Sequence, residues 1–182
     1  MTNRFDSKVI GLDVGLLIGK FFMDTEELHY GYWPDEKRAT AQNFSQAQDR
    51  HSQLIIDNIP DNVKRILDVG SGSGSLAKKL IKLGYQVDCV IPSEFLAEKV
   101  KVKLSDSSKI YINKFEDLDI SHHYDLVLFS ESFQYVELND SIKKIISVLN
   151  KNGHLLICDV FHKNVEGISP MRGGHRLDLF DD

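Results

Sequence analysis

The chain has 182 residues, enough for one domain with a real core. Hydrophobic residues make up 42% and charged residues 27%, the balance of an ordinary globular protein and not of a fibrous or low-complexity one. The formal net charge is −5, with Lys and Arg scattered among Asp and Glu, so no basic stripe speaks for a nucleic-acid partner.

The longest apolar stretch runs from Val9 to Met23. Asp13 interrupts it, and Arg4, Asp6 and Lys8 precede it with mixed sign. It is too short and too broken for a bilayer span, which needs roughly 20 apolar residues, and no small-residue cleavage site follows. The expectation is a helix packed on the domain, in a cytoplasmic protein. Next comes HYGYW, His29 to Trp33, an aromatic-dense loop ended by Pro34. Residues 38–59 read as a helix, with Ala41, Phe44, Ala47, His51, Ile55 and Ile59 near helical spacing.

From Lys64 onward short β-rich runs alternate with helical patterns. Strands are expected at Arg65–Val69, Gln86–Ile91, Lys109–Asn113, Asp125–Phe129 and His154–Val160. The first helix between them carries Leu76, Leu80 and Leu83 on one face. The second runs from about Glu94 to Lys103, capped by Ser93. The third carries Ile142, Ile145, Ile146 and Leu149, with a cap near Asp140 and an end around Asn152-Gly153. Such alternation implies right-handed crossovers and a doubly wound α/β fold with a mainly parallel sheet. Runs such as LVLF and LLIC fit strands buried on both faces. One domain is expected, with a helical cap over residues 1–60, a core over 61–160 and a C-terminal segment over 161–182.

Gly70, Gly72 and Gly74 follow the first strand and open a helix, where glycine allows positive φ and close approach of a ligand to the backbone. The dinucleotide fingerprint is G-x-G-x-x-G. Here the spacing is G-x-G-x-G, with Ser75 where that third glycine would stand. Asp68 ends the strand two residues before the first glycine. Its carboxylate would repel a pyrophosphate but suits an ammonium group, which disfavours a nicotinamide-dependent oxidoreductase.

The segment ILDVGSGSG, Ile66 to Gly74, resembles motif I of the class I S-adenosylmethionine-dependent methyltransferases. The likeness extends from roughly Gly19 to Leu179. HYGYW, then Ala47-Gln48, then motif I resembles small-molecule methyltransferases with an N-terminal lid, a layout shared with cyclopropane-fatty-acid synthases and sterol or tocopherol methyltransferases. The resemblance implies a Rossmann-like sheet of order 3-2-1-4-5, S-adenosylmethionine as cofactor, and methyl transfer to an oxygen, nitrogen or carbon atom of a small molecule. The alternative is a non-catalytic or truncated domain that binds the same cofactor. It implies that Asp68 holds the amino-acid end of the cofactor and that the backbone at Gly70, Ser71, Gly72 and Gly74 packs on its methionine and ribose parts. Tyr30 would approach the cofactor carboxylate, and Tyr32 the substrate. Phe115 and Glu116 (or Asp117) would flank the adenine, Ser130 and Glu131 would border the cofactor, and Gln134 and Tyr135 would point toward the substrate.

The chain departs from the family at the end of the second strand. An acid there usually bonds the ribose hydroxyls, but Ile91, followed by Pro92, occupies the position. Leaving sugar hydroxyls unpaired in a closed site costs about 1–3 kcal/mol. Glu94 is a possible stand-in, while Asp88 should face away by strand alternation. A complete family sheet would also need two more strands after Val160, so the expected fold lacks the last two. That exposes a parallel edge, to be covered by the C-terminal segment, by a second copy of the chain, or by nothing.

The sulfonium makes the methyl electrophilic by itself, so the protein's task is mainly positioning. His175, Tyr135 and His162 are the candidates for base or substrate contact near the fifth strand, with Gly173-Gly174 a turn that would bring His175 inward. No metal-ligand cluster is visible. With the implied strand order, Cys89 and Cys158 would lie three strand spacings apart, roughly 14 Å. They should be free thiols, because a disulfide needs Cα atoms within about 7 Å.

Overall fold

A computed structural model describes residues 7–34, 38–104, 106, 108–163 and 174–180, without the side chains of 7–10, 12 and 13. The elements in chain order are α1 (Ser7–Phe22), α2 (Ala41–Asp57), β1 (Arg65–Val69), α3 (Ser75–Lys82), β2 (Gln86–Val90), α4 (Glu94–Leu104), β3 (Ile110–Tyr111), β4 (Tyr124–Ser130), α5 (Leu138–Val148) and β5 (Leu149–Cys158). Short 3₁₀ turns occupy Phe133–Tyr135 and Leu177–Phe180.

The five strands form one sheet in the order β3-β2-β1-β4-β5, and every pairing is parallel. This is the doubly wound α/β architecture that the alternation of runs implies, in the strand order that the resemblance implies. Each strand sends alternate side chains to opposite faces. Ile66, Val87, Cys89, Ile91, Leu126 and Leu128 pack on one side with α2, α3 and α4. Leu67, Val69, Val90, Val127 and Phe129 pack on the other with Phe115, Phe133 and α5. Asp68 belongs by parity to the first face, and Asp88 to the second.

Several boundaries move. Helix α2 starts at Ala41 and not at residue 38, because Asn43 turns back to accept the Thr40 N–H at 2.8 Å. The Glu137 side chain, and not Asp140, caps α5 by accepting the Asp140 N–H at 2.8 Å. That helix ends at Val148, and β5 begins at once with Leu149, its turn carried by Asn152 at φ 65. Leu83 and Ile146, expected on inward faces, are 58% and 71% exposed. Leu83 has already left α3 as its C-cap, and Ile146 lies on the outer side of α5. Ser93 caps α4 as expected, accepting from Leu96 N at 3.2 Å.

Helix α1 forms where the apolar run predicts it, but it is not packed down along its length. Leu16 is buried, whereas Val14, Leu17, Ile18, Phe21 and Phe22 are exposed. Among the described residues no helix is long and apolar enough to cross a membrane. Cys89 and Cys158 are free. Residues 174–180 dock on Phe161 and Phe133 through Phe180 and His175, past the end of β5. Among the described residues, no strand pairs with the outer edge of β5, which is the last strand of the sheet.

Candidate active site

Because all strands are parallel, the ends of β1, β2 and β4 open on the same edge of the sheet, the place where open α/β sheets take their ligands. Gly70, Gly72 and Gly74 have φ of 75, 54 and 74, a left-handed path that glycine adopts without strain. A Cβ on Gly70 would lie 2.5 Å from the Ser132 side chain, so the post-β4 loop presses on this turn. Ser132 Oγ also donates to Val69 O at 2.5 Å.

One polar atom at this turn, Asp68 Oδ2, is buried without a partner. Asp68 is 1% exposed, and burial pushes its carboxyl up to about 7. Such orphans are rare in folded proteins and mark unmade contacts. An ammonium group at this edge would satisfy the carboxylate and hold it ionised. The amino-acid end of S-adenosylmethionine therefore fits the turn.

The ribose end fits less well. Ile91 is 2% exposed and packed in the first core cluster, so it offers the sugar no acceptor. Asp88 does not replace it, since its carboxylate accepts from Tyr124 Oη at 2.8 Å and Lys109 N at 2.9 Å on the opposite face. Pro92 and Glu94 are exposed beside Ile91.

The cap reaches the turn through Leu28, whose Cδ1 lies 3.4 Å from where a Cβ on Gly72 would stand. A buried glutamine holds this loop in place. Gln48 Nε2 donates to the Glu27 and His29 carbonyls at 3.1 and 2.6 Å, and its Oε1 accepts from Thr25 Oγ1. At Gly31, φ is 81 and a Cβ would strike the Ala47 backbone at 2.7 Å, so the glycine of HYGYW is what lets the loop lie on α2. Tyr30 and Tyr32 then project outward, 69% and 50% exposed.

The other sequence-derived candidates divide. Ser130 and Glu131 do stand at the end of β4, half-buried. Glu131 has φ 51, an uncommon conformation for a side-chain-bearing residue. Its Oε2 accepts the Tyr30 N–H at 3.2 Å, and burial raises its pKa. Tyr135 is 62% exposed, beside the same loop. Gln134 is instead turned onto Asp159, donating from N and Nε2 at 3.0 and 3.1 Å. Phe115 lies in the second core cluster, edge-on to Phe129 at 5.5 Å and 2% exposed, and Glu116 accepts the Glu137 N–H at 2.8 Å. His162 is joined to His175 and Leu177 through its backbone at 2.9 Å. His175 Nε2 meets Phe133 O at 3.0 Å. A carbonyl only accepts, so that nitrogen carries the proton and Nδ1 is the basic one. Gly173 lies outside the described residues.

The sequence reading missed a polar cluster where the cap meets the sheet. Glu27 accepts from His29 Nε2 and from Lys79 Nζ at 2.6 Å, and Lys79 also reaches Asp49 at 2.9 Å. Burial alone would push the Glu27 carboxyl up, but hydrogen bonds from His29 and Lys79 outweigh it and hold it at about 2. His51 stacks on His29 with centroids 4.3 Å apart, and its Nε2 lies 3.7 Å from Glu131 Oε1. One sequence signal was present: Gln48, His51 and Ser52 are polar residues on the inward face of α2, between Ala47 and Ile55.

The geometry agrees with comparison to known proteins. Residues 67–157, half of the chain, match the methyltransferase domain family. The ribosomal RNA small subunit methyltransferase A of Campylobacter fetus is 36% identical over 119 residues, covering 60% of this chain and 42% of that protein. An uncharacterised methyltransferase of Bacillus cytotoxicus is 26% identical over 79% of this chain and 76% of its own length. Among solved structures, the [4+2]-cyclase SpnF superposes with a TM-score of 0.72 at 23% identity, over 88% of this chain and 61% of that one, a likeness of fold. The chain belongs to the methyltransferase domain family; the glycopeptide N-methyltransferase MtfA, of like fold at 14% identity and a TM-score of 0.52, was solved with S-adenosylmethionine bound. The chain spans less than half the length of the first of these relatives and about three quarters of the second.

Proposed function

We propose that the chain transfers a methyl group from S-adenosylmethionine to an oxygen, nitrogen or carbon atom of a small molecule. The observation that carries this reading is the buried, partnerless carboxylate oxygen Asp68 Oδ2 at the head of a left-handed glycine turn. Bound there, the cofactor supplies an electrophilic methyl, and the protein's part is to align an acceptor and keep water out. Asp68 holds the ammonium, Gly70 to Gly74 give the backbone close approach, Leu28 closes the cap over that end, and the outward Tyr30 turns in to the cofactor carboxylate on binding. Ser130 and Glu131 border the cofactor, and Tyr135, Tyr32, Gln134 and His162 line the acceptor side. His175 Nδ1 is the group proposed to take a proton from the acceptor, and Tyr135 Oη, kept protonated by burial, donates a hydrogen bond to it.

A small acceptor is favoured by the charge pattern. The net charge is −5, and the lysines nearest the cap are matched by acids: Lys79 by Glu27 and Asp49, Lys103 and Lys20 by Glu26. A nucleic-acid enzyme would leave such cations for phosphates. The reading keeps residues 1–60 as cap, 61–160 as cofactor core and 161–182 as a substrate-side segment, in the cytoplasm. A second copy of the chain would pair along the open edge of β5. One observation, the apolar Ile91 at the ribose, favours a domain that binds the cofactor without turning over. The family match weighs toward the enzyme.

Calorimetric titration with S-adenosylmethionine, with NADH as control, tests the reading. Binding of the first alone, weakened about 100-fold in Asp68→Ala, is the expected result. Labelled-methyl transfer to RNA in preference to small acceptors would overturn the substrate class, and no binding of either ligand would overturn the whole.

A further inference from the structure

We propose that His29, His51 and Glu131 form a divalent-metal site of zinc type, with the Cys158 thiol beside it as a candidate fourth ligand. The three come from the cap loop, from α2 and from the post-β4 loop, yet one donor atom of each lies within 4.8 Å of the others. Tetrahedral zinc, with bonds of about 2.0–2.2 Å, places its donors roughly 3.4 Å apart. Side-chain adjustments of about an ångström therefore close the set around an ion.

The hydrogen bonding already suits a metal. His29 gives its Nε2 proton to the Glu27 carboxylate, which leaves Nδ1 as a lone pair, and that atom is buried with no partner. A ligating histidine whose other nitrogen donates to a carboxylate is the usual outer arrangement at zinc, because it fixes tautomer and ring orientation. Lys79 holds Glu27 in turn at 2.6 Å. His51 has a side chain only 6% exposed, and its Nδ1 is likewise buried without a partner. Its ring stacks on His29 with centroids 4.3 Å apart. Glu131 spends Oε2 on the Tyr30 N–H and turns Oε1 toward His51 Nε2, 3.7 Å away, while Cys158 Sγ stands 3.4 Å from the same nitrogen.

Two imidazoles and a carboxylate, with a thiol in reach, select a borderline cation such as zinc over magnesium or calcium, which prefer all-oxygen shells. An ion there would tie the cap loop to α2 and to the end of β4. Three protein ligands leave one position, for Cys158 or for an oxygen from outside. The site does not depend on methyl transfer, though Glu131 touches both regions.

The test uses the full chain, stripped with EDTA and titrated with zinc chloride by calorimetry and with cobalt chloride by visible absorption. One equivalent of metal and the d–d bands of tetrahedral cobalt are expected. A thiolate charge-transfer band would place Cys158 in the shell, and its absence would leave the fourth position to an oxygen; either spectrum supports the site. Binding should disappear in His51→Gln and in Glu131→Gln, and Glu27→Gln should weaken it by about 10–100-fold as a positioning residue. Circular dichroism in EDTA checks that each variant folds, and His29→Gln replaces any that does not. No stoichiometric binding, or binding unchanged in variants that fold, would overturn the proposal. Cofactor titration of the same samples separates this failure from failure of the methyltransferase reading.

Discussion

Two buried carboxylates sit about one cap loop apart and behave in opposite ways. Asp68, at the glycine turn, is 1% exposed and has no cation nearby, and burial pushes it up to about 7. Glu27, at the seam between cap and sheet, has a side chain 10% exposed, yet His29 and Lys79 hold it at about 2. Burial acts in the same direction on both; the company differs. A carboxylate buried with its partners is finished structure, whereas one buried alone is a place prepared for something not in the chain.

The largest test of this contrast is pH. Asp68 is raised in the folded chain, so the fold keeps its proton across a range where the unfolded chain has released it. The stability it contributes is complete below about 3.8, its ordinary value, and is lost as pH rises through about 7. The span corresponds to at most roughly 4 kcal/mol. Urea unfolding of the cofactor-free protein at pH 5 and pH 8 should show the later part of that loss, about 2.6 kcal/mol, and Asp68→Asn should flatten it. An unchanged slope in the variant would mean that Asp68 finds a partner in solution.

Next is the cofactor. Asp68→Ala should weaken S-adenosylmethionine binding by about 100-fold, or roughly 2.7 kcal/mol, as read by calorimetry. In the wild type the affinity should itself fall below pH 7, because the ammonium must then first displace a proton from the carboxylate. At the seam, Lys79→Met should destabilise the fold by about 2 kcal/mol by stranding Glu27, a figure reduced from the buried-pair range because Lys79 is one-third exposed. Thermal unfolding measures it, and a negligible change would make the seam no different from a surface ion pair. Ile91→Asp supplies the ribose acceptor that the chain lacks. Affinity should rise about tenfold while the cofactor-free fold loses stability, since the new acid displaces a core side chain. The smallest effect is expected at α1, where Phe21→Ser should change the melting free energy by less than about 0.5 kcal/mol, because Phe21 is 82% exposed.

Much of the fold was legible in the residues. Apolar runs of five to seven residues bounded by turn formers carry their own strand signal, and β1 falls at Arg65–Val69 as read. The glycine turn was legible as well, because its chemistry lies within nine consecutive residues. The β5 start was not: NKNG reads as a helix end followed by a loop, but pairing with Tyr124 draws Leu149 into the sheet. Phe115 and Gln134 were placed by family position; what only packing shows is that Phe115 lies in the second core cluster and that Gln134 bonds Asp159.

What the sequence determined by itself is what depends on neighbours along the chain: the alternation of strand and helix, and the turn with Asp68 at its head. What the tertiary structure decided depends on neighbours in space. His29, His51, Glu131 and Cys158 carry no spacing that marks them as a group. They meet because α2 lays the cap loop across the sheet edge where β4 and β5 end. Whether a buried acid is paired or waiting is settled only there, since burial and partners are properties of packing.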